Sequence, residues 1–222
     1  MTGADRKDPA AWGGVDIVET TTPFRRFLRV DTIRFRHRLF SGEWSAVHTC
    51  DVMRRGAAVG IVLYDPERDA VVLIEQFRLA AMLAGGSAYQ LEIVAGLVGP
   101  DEPPEAVAIR ETKEETGLVL EGELIPIQRY LPSCGASDES VALYCAPVDA
   151  SRAGGVHGAA DEGEDIRTVV KTLAEIEALI EAGAIENGHS LIGLYWLLRH
   201  REELRRRWAR SASSPPPAAP AR

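Results

Sequence analysis

The sequence predicts an α/β fold, in which a mixed β-sheet flanked by helices forms an α/β/α sandwich with an added antiparallel β arm at the N-terminus. Three observations indicate this class. Two apolar runs within residues 57–77 flank the turn-forming stretch DPERD, which is typical of a β-hairpin. A strand-like YQLEIVAG leads into a glutamate-rich stretch with helical signals. Two segments with helical apolar periodicity close the chain.

Composition divides the chain into four parts. Residues 1–15 and 211–222 are polar or rich in Gly, Ser, Pro and Ala without periodicity, so we expect both to be disordered. Residues 16–55 alternate β-favouring residues with charges, as in FLRVDTIRFRHRLF, and predict the β arm. Residues 56–210 form the main domain. With 222 residues, 45% of them hydrophobic, the chain is long enough to bury a core there.

The main domain continues to alternate strands and helices. We expect strands around residues 123–130 and 140–147, a loop over 150–165, and a further strand at DIRTVV. A helix follows at TLAEIEALIEAG, and another runs from about residue 190 to 207. The buried stripe expected on the last helix comprises Leu191, Leu194, Tyr195 and Leu198, widened by Leu197 and Leu204.

Charge and cysteine content argue against several classes of function. A net charge of −8 and a pI near 5.2 disfavour a nucleic-acid or anionic-membrane surface. The three cysteines, an odd number without a CxxC pair, predict neither a disulfide framework nor a zinc site. The N-terminal stretch is polar and no run approaches about 18 apolar residues, so we expect no export signal and no membrane span. A reducing cytoplasm is the expected location.

Residues 96–118 carry the most specific chemical pattern in the chain. At fixed offsets stand Gly96, Glu102, Arg110, Glu111, Glu114, Glu115 and Gly117. We expect a helix that starts near Pro103 or Pro104 and ends at Gly117. Positions three and four apart share a helix face, which gathers the glutamates at 111, 114 and 115. Such a cluster suits a hard divalent cation and the hydrolysis of a phosphoanhydride. Arg110 can hold the carboxylate of Glu114 in place.

This pattern resembles the Nudix box, G-x5-E-x7-R-E-U-x-E-E-x-G-U, with one departure, Thr112 in an aliphatic slot. A solvated acidic helix face is the alternative, but it would require neither the two glycines nor the distant Glu102. The stretches RFRHRLF, VVLIEQFR, LEIVAG and GVHGAADEGEDI are similar to the ADP-ribose pyrophosphatase branch of the Nudix superfamily. The resemblance, from about residue 24 to 208, implies the Nudix fold and a homodimer with exchanged N-terminal arms.

The resemblance also implies Mg²⁺-dependent cleavage of ADP-ribose to AMP and ribose 5-phosphate, with Mn²⁺ as an alternative cation. It assigns to the metal Glu111, Glu115 and the backbone carbonyl of Ala95, with Glu164 as a further ligand that joins the site with substrate. Glu162, in the acidic loop ADEGED, would be the general base for water, and Arg110 would support the cluster. Without the resemblance, ADEGED would be interpreted as a solvated acidic turn.

The candidate substrate-binding residues lie outside the box. Arg78 matches a position that contacts the diphosphate or the terminal ribose. Phe27 matches one that stacks on adenine from the exchanged arm, with packing within the arm as the alternative. The family carries an arginine near the position of Cys50. The nearby basic residues here are Arg54 and Arg55, so this substrate contact is either missing or moved.

The loop after the box departs from the family as well. It reads Ser133-Cys134-Gly135 where the family has Ser-Pro-Gly, and Gly135 remains a candidate for substrate contact. We expect Cys134 to be a small buried residue, with a reactive thiol as the alternative. These departures leave GDP- or UDP-sugars as alternative substrates.

A non-catalytic ADP-ribose sensor is an alternative of another class. Such proteins usually lose box glutamates or carry a DNA-binding domain. Here every box glutamate is present, and residues 1–50 and 190–222 contain no basic recognition helix. The sequence therefore favours an enzyme with a small-molecule substrate and no nucleic-acid or membrane partner.

Overall fold

The structure is a computed structural model that describes residues 13–120, 122–159 and 163–212. The chain divides into two compact units. The first, the arm unit, comprises Met1–Gly56 and Leu131–Ser140; the second, the main unit, comprises Ala57–Tyr130 and Val141–Arg222. Of the stretches expected to be disordered, residues 1–12 and 213–222 lie outside the described residues.

The arm unit contains an antiparallel sheet of three strands, β1 (Val15–Arg25), β2 (Arg29–His37) and β3 (His48–Arg54). This sheet confirms the predicted β arm. Charged side chains pair across its strands, as where Arg36 Nε lies 2.7 Å from Asp16 Oδ2. Both partners are more than two-fifths exposed, so this pair adds little stability.

Leu131–Ser140 joins the arm unit through hydrogen bonds that it accepts from backbone N–H groups of the arm. The N–H of Met53 donates to Ala136 O at 2.8 Å, and Asp138 Oδ1 accepts from the N–H of Arg55 at 2.7 Å. The predicted arm, residues 16–55, did not include this segment, because its contacts are distant in sequence. The Ser-Cys-Gly loop is therefore part of the arm unit.

The main unit contains the remaining strands and all the described helices. The strands are β4 (Ala57–Asp65), β5 (Ala70–Phe77), β6 (Tyr89–Glu92), β7 (Val94–Leu97), β8 (Ile125–Tyr130), β9 (Ser140–Pro147), β10 (Val156–His157) and β11 (Ile166–Thr172). The helices are α1 (Leu79–Leu83), α2 (Pro104–Thr116), α3 (Leu173–Glu181) and α4 (Gly188–Ala212). The sheet order is β10-β11-β5-β4-β9-β8, with β6 beside β5 and β7 beside β4. The predicted hairpin and later strands are confirmed, whereas α1 and β10 were not predicted.

The single strand predicted at YQLEIVAG is two short strands with different partners. β6, which contains Glu92, pairs with β5, whereas β7, which contains Ala95, pairs with β4. Between them, the N–H of Ile93 donates to Ser190 Oγ at 3.0 Å. Glu92 and Ala95, three residues apart in YQLEIVAG, therefore lie beside different strands.

Alternating strand residues bury a hydrophobic core on each face of the sheet. One core joins α3 and α4 to strand residues that include Val62, Tyr64, Val71 and Leu73. The other joins α2 to strand residues that include Ile61, Leu63, Val72 and Ile74. Because helices cover both faces, the predicted α/β/α sandwich is confirmed.

Helix α4 buries the predicted stripe except at Tyr195. Leu194, Leu197 and Leu204 are buried, and Leu191 and Leu198 pack against the edge of the core. Tyr195, predicted to be buried, is 56% exposed. At about 100° per residue it lies about 140° around the helix from the buried stripe, which continues to Trp208. None of the described helices, α4 included, is long and apolar enough to cross a membrane.

Candidate active site

Helix α2 carries most of the predicted site, and proline and glycine set its ends. Pro103 precedes it with extended backbone, and Pro104 occupies its first position. Gly117 ends it in the left-handed conformation at φ 71°, and its N–H donates to Lys113 O at 2.9 Å. A Cβ at Gly117 would also lie 2.9 Å from His157 Cε1. The predicted helix and both of its end signals are confirmed.

Thr112, the departure from the box, is fully buried. Its Oγ1 donates to Ala108 O at 2.7 Å within the helix. A buried hydroxyl without a partner would cost free energy, but this bond satisfies it. The structure therefore explains how threonine occupies an aliphatic slot.

Arg110 contacts three glutamates with one guanidinium group. Its NH1 donates to Glu114 Oε2 at 2.7 Å, and its NH2 lies 3.0 Å from Glu111 Oε1. Its Nε lies 3.3 Å from Glu102 Oε1. The expected contact with Glu114 is present, and the same side chain fixes the position of Glu111.

Glu111 and Glu115 are poorly solvated carboxylates. Glu115 is 4% exposed, and its Oε2 accepts from the N–H of Ala95 at 3.3 Å. Burial raises the pKa of Glu115 to about 8, and the charges of Glu111 and Glu164 add to the rise. Burial likewise raises the pKa of Glu111, although the charge of Arg110 opposes the change. A cation between these groups would favour their ionised forms.

Gly96 makes room for the side chain of Glu111. A Cβ built on Gly96 would overlap the Cγ, Cδ and Oε1 atoms of Glu111. Any side chain at this position in β7 would therefore compete with the carboxylate for the same space. Gly99 is not restricted in this way, because a Cβ there would lie 3.5 Å from its nearest neighbour, Glu102 Oε2. Gly96, the first glycine of the box, is thus required because only glycine leaves space for the Glu111 side chain.

Arg78 forms an ion pair with Glu92, in which the carboxylate is buried and the arginine is partly exposed. Its Nε donates to Glu92 Oε1 at 3.0 Å and its NH2 to Glu92 Oε2 at 2.7 Å. The side chain of Glu92 is 4% exposed, whereas that of Arg78 is 44% exposed. The charges of Glu115 and Glu164 also act on the guanidinium, so Arg78 lies in the field of the carboxylate site.

The acidic loop after β10 brings Glu164 to the same part of the main unit. Its Oε2 accepts from the N–H of Ala159 at 3.0 Å. The N–H of Gly158 donates to Glu114 O at 3.2 Å, which ties the loop to α2. Glu162, the predicted general base, lies outside the described residues.

The remaining predicted substrate-binding residues belong to the arm unit. Phe27, at the turn between β1 and β2, is 88% exposed, with Arg55 Cζ 5.7 Å from its ring centroid. This exposure argues against packing within the arm. Arg54 Nε lies 2.9 Å from Asp138 Oδ2, and Arg54 NH1 lies 3.7 Å from Asp31 Oδ2. Arg54 is therefore already held by two aspartates.

The Ser-Cys-Gly loop is a turn on the surface of the arm unit. Ser133 O accepts from the N–H groups of Ala136 and Ser137 at 3.1 Å and 2.9 Å. Gly135 has open space around it, since no described atom lies within 4 Å of a Cβ built there. Cys134 is exposed, so the expectation of a small buried residue was wrong. The turn leaves this side chain without the covering neighbours that burial would need.

Two aspects of the site differ from the sequence interpretation. Within the described ranges, no group of three or more His, Cys, Asp or Glu side chains is gathered as a metal site. Glu114, the third member of the predicted cluster, is engaged by Arg110. Glu92 is the second difference, because the sequence marks it only as a lone acidic residue in the apolar stretch YQLEIVAG.

Comparisons with known proteins agree with this geometry. A model of the NUDIX domain family matches residues 54–187. The chain is 40% identical over 195 residues to the ADP-ribose pyrophosphatase of Escherichia coli strain K12, covering 88% of this chain and 93% of that protein. It is 37% identical over 201 residues to the ADP-ribose pyrophosphatase of Haemophilus influenzae, covering 89% and 92%.

More distant similarities extend the comparison. The GDP-mannose pyrophosphatase of Citrobacter koseri is 34% identical over 151 residues, covering 68% of this chain and 78% of that protein. A solved structure described as an ADP compounds hydrolase superposes with a TM-score of 0.64 at 20% identity, covering 90% and 96% of the two chains. At that identity the likeness concerns the fold alone.

Proposed function

The chain belongs to the Nudix domain family, and from this premise we propose that it hydrolyses the diphosphate bond of ADP-ribose to AMP and ribose 5-phosphate. The observation that carries the proposal is the pair of poorly solvated carboxylates, Glu111 and Glu115, beside the backbone of Ala95. The choice of ADP-ribose is supported by the two pyrophosphatases that match 88% and 89% of the chain.

The oxygen donors nearest one another, the carboxylates of Glu111 and Glu115 and the backbone of Ala95, are of the type that a hard divalent cation prefers. Glu164, whose carboxylate accepts from the N–H of Ala159, would join them as a ligand when substrate binds. Burial raises the pKa of Glu115, and a bound cation would compensate for the solvation that burial removes. We assign Mg²⁺ as the cofactor, with Mn²⁺ as the alternative, since both prefer oxygen ligands. When bound, the cation neutralises diphosphate charge and makes water more acidic.

Residues of the chain would bind the substrate, accept the proton of water and orient the metal ligands. Arg78 would bind the diphosphate through its guanidinium, and Glu162 would take the proton of the attacking water as general base. Arg110 would keep Glu111 oriented. An arm exchanged from a second copy of the chain would contribute the adenine contact, with Phe27 stacking on the base, and Arg54 and Gly135 are further candidate substrate contacts.

Comparing the turnover of ADP-ribose, GDP-mannose and UDP-glucose in Mg²⁺ tests the proposed substrate. We expect ADP-ribose to be cleaved with the highest kcat/KM and to yield AMP. The similarity to a GDP-mannose pyrophosphatase makes that sugar nucleotide the second candidate. If the protein cleaved GDP-mannose rapidly but left ADP-ribose uncleaved, the choice of substrate would be overturned. If it bound ADP-ribose without releasing AMP, the result would support a sensor instead.

Glu162→Gln is expected to slow turnover about 10²-fold while leaving metal binding intact, because a general base contributes at least about that factor. The amide keeps the size of the side chain but cannot accept the proton of water. Metal titration and single-turnover kinetics measure the two properties separately. A variant that lost metal binding along with activity would show that Glu162 is a ligand and not the base.

We also propose a homodimer with exchanged arms. The arm unit exposes several large apolar side chains, Phe24, Phe27, Leu39, Phe40 and Val47. An exposed apolar group of this kind is typical of an interaction surface. Light scattering should give twice the 24.1 kDa mass of the chain, and Phe40→Asp should shift the protein toward the monomer. A monomer at every concentration would contradict the dimer.

A cytoplasmic location is proposed from the cysteines. Cys50, Cys134 and Cys145 are all free thiols. Exposed Cys134 would persist as a thiol in a reducing compartment. Thiol counting on protein purified without reductant would test this.

A further inference from the structure

We propose that Glu92 is a positioning residue that holds the guanidinium of Arg78 in the orientation that receives the substrate's diphosphate. This inference rests on the proposed diphosphate hydrolysis and adds a residue to that site. Glu92 acts through Arg78 and makes no contact with substrate of its own. Neither the box nor the metal ligands include it.

The hydrogen bonds between the two side chains fix the plane of the guanidinium. Arg78 uses Nε and NH2 on the two oxygens of Glu92, at 3.0 Å and 2.7 Å. Two parallel bonds determine an orientation, which a single contact would leave free to rotate. NH1 lies outside this pair, on a side chain that is 44% exposed. One edge of the guanidinium is thus anchored, and the opposite edge remains available to a phosphate.

Glu92 is itself held firmly. Its Oε2 also accepts from Gln76 Nε2 at 3.4 Å. It is the last residue of β6, and the next backbone N–H, of Ile93, is anchored on Ser190 Oγ at 3.0 Å. A buried carboxylate is costly to desolvate, and a buried ion pair is often replaceable by apolar residues without loss of stability. The presence of Glu92 at this buried position is better explained by the orientation that it imposes on Arg78.

The surrounding charges show why Arg78 needs such an anchor. Glu115 and Glu164 both attract its guanidinium. Without Glu92, the side chain would turn toward these two carboxylates, which are proposed metal ligands. A guanidinium bound to these carboxylates would compete with the cation and would no longer contact the diphosphate. Glu92 therefore keeps the two positive groups of the site apart.

A double-mutant cycle tests the proposal with Glu92→Gln, Arg78→Ala and the double variant. The readouts are kcat, KM and the Kd of unhydrolysed ADP-ribose, measured by calorimetry in a metal chelator. Glu92→Gln should weaken ADP-ribose binding and raise KM about tenfold, and Arg78→Ala should lower kcat/KM by up to about 10²-fold, as expected for misplaced substrate. The double variant should be no worse than Arg78→Ala alone, because Glu92 acts only through Arg78.

Glu123→Gln is the matched control. Arg207 donates to Glu123 from Nε and NH2 at 2.9 Å and 2.6 Å, in an exposed pair of the same geometry. This control should bind and turn over ADP-ribose as the unmodified protein does. If Arg78→Ala leaves Glu92 uncompensated and unfolds the chain, Arg78→Lys replaces it, since lysine keeps the charge but cannot form the paired bonds.

Additive losses in the double variant would overturn the inference. So would a Glu92→Gln variant with a lower Tm and an unchanged Kd, which is the result of a purely structural role. Failure of the proposed substrate is distinguishable from both outcomes. In that case the unmodified protein would not cleave ADP-ribose, and the same cycle would be measured on the nucleoside diphosphate sugar that it does cleave.

Discussion

Glu115→Gln is expected to lower metal-dependent hydrolysis by about 10³-fold or more, since a lost metal ligand removes several kcal/mol of transition-state stabilisation. The same change should stabilise the metal-free protein at high pH. Glu115 is buried against the N–H of Ala95, and its negative charge is poorly solvated there. An uncharged amide of the same size removes the cost of burying that charge. Function and stability therefore move in opposite directions at this position.

The pKa of Glu115 sets the pH window of this effect. Burial raises it from an ordinary 4.5 to about 8 in the folded protein. A group whose pKa is raised on folding binds its proton more tightly in the folded state, so its contribution to stability is full below pH 4.5. That contribution is lost as the pH rises through about 8. The Gln variant has no such titration, so its Tm should exceed that of the unmodified protein increasingly across this window.

Thermal unfolding in a metal chelator, measured from about pH 5 to pH 9, tests the prediction together with activity assays. Glu105→Gln is the matched control on the same helix, because Glu105 is exposed and accepts a hydrogen bond from the Tyr144 hydroxyl at 3.0 Å. Glutamine can still accept that bond. Parallel pH dependences in the Glu115→Gln variant and the unmodified protein would refute the assignment.

The parts of the site that could be predicted follow local rules. Helix α2 begins at Pro104 and ends at Gly117 because proline and glycine restrict the backbone at their own positions. The contact between Arg110 and Glu114 follows from their spacing of four residues on that helix. Family resemblance then assigned roles to these residues, which periodicity alone could not do.

The parts that could not be predicted depend on contacts distant in sequence. YQLEIVAG is one continuous β-favouring stretch, and only the folded sheet shows that its two halves have different partners. Leu131–Ser140 joins the arm through Met53 and Arg55, about eighty residues earlier in the chain. Glu92 was hidden for a similar reason, since its partner Arg78 lies 14 residues earlier in the chain, before helix α1. Tyr195 shows that an apolar residue within a helical pattern can still lie on the solvent-facing side of the helix.

Gly96→Ala is expected to reduce activity about as strongly as loss of Glu111 itself, by about 10³-fold, because it displaces a proposed metal ligand. The added methyl would occupy the space of the Glu111 side chain from Cγ to Oε1. A side chain can swing away more cheaply than a strand can move, and Gly96 does not have a positive φ that would strain alanine. The cost should therefore fall on Glu111 and not on the fold.

Activity, metal affinity and Tm, measured together, test this mechanism. Gly99→Ala is the matched control, since its added methyl would have only ordinary contacts, the nearest at 3.5 Å from Glu102 Oε2. It should behave like the unmodified protein. In a Glu111→Ala background, Gly96→Ala should have no further effect on activity, because the carboxylate it displaces is already gone. A further loss of activity in that background would mean that the methyl disturbs the β7 backbone at Ala95. Gly96 would then be required by the strand and not by the Glu111 carboxylate.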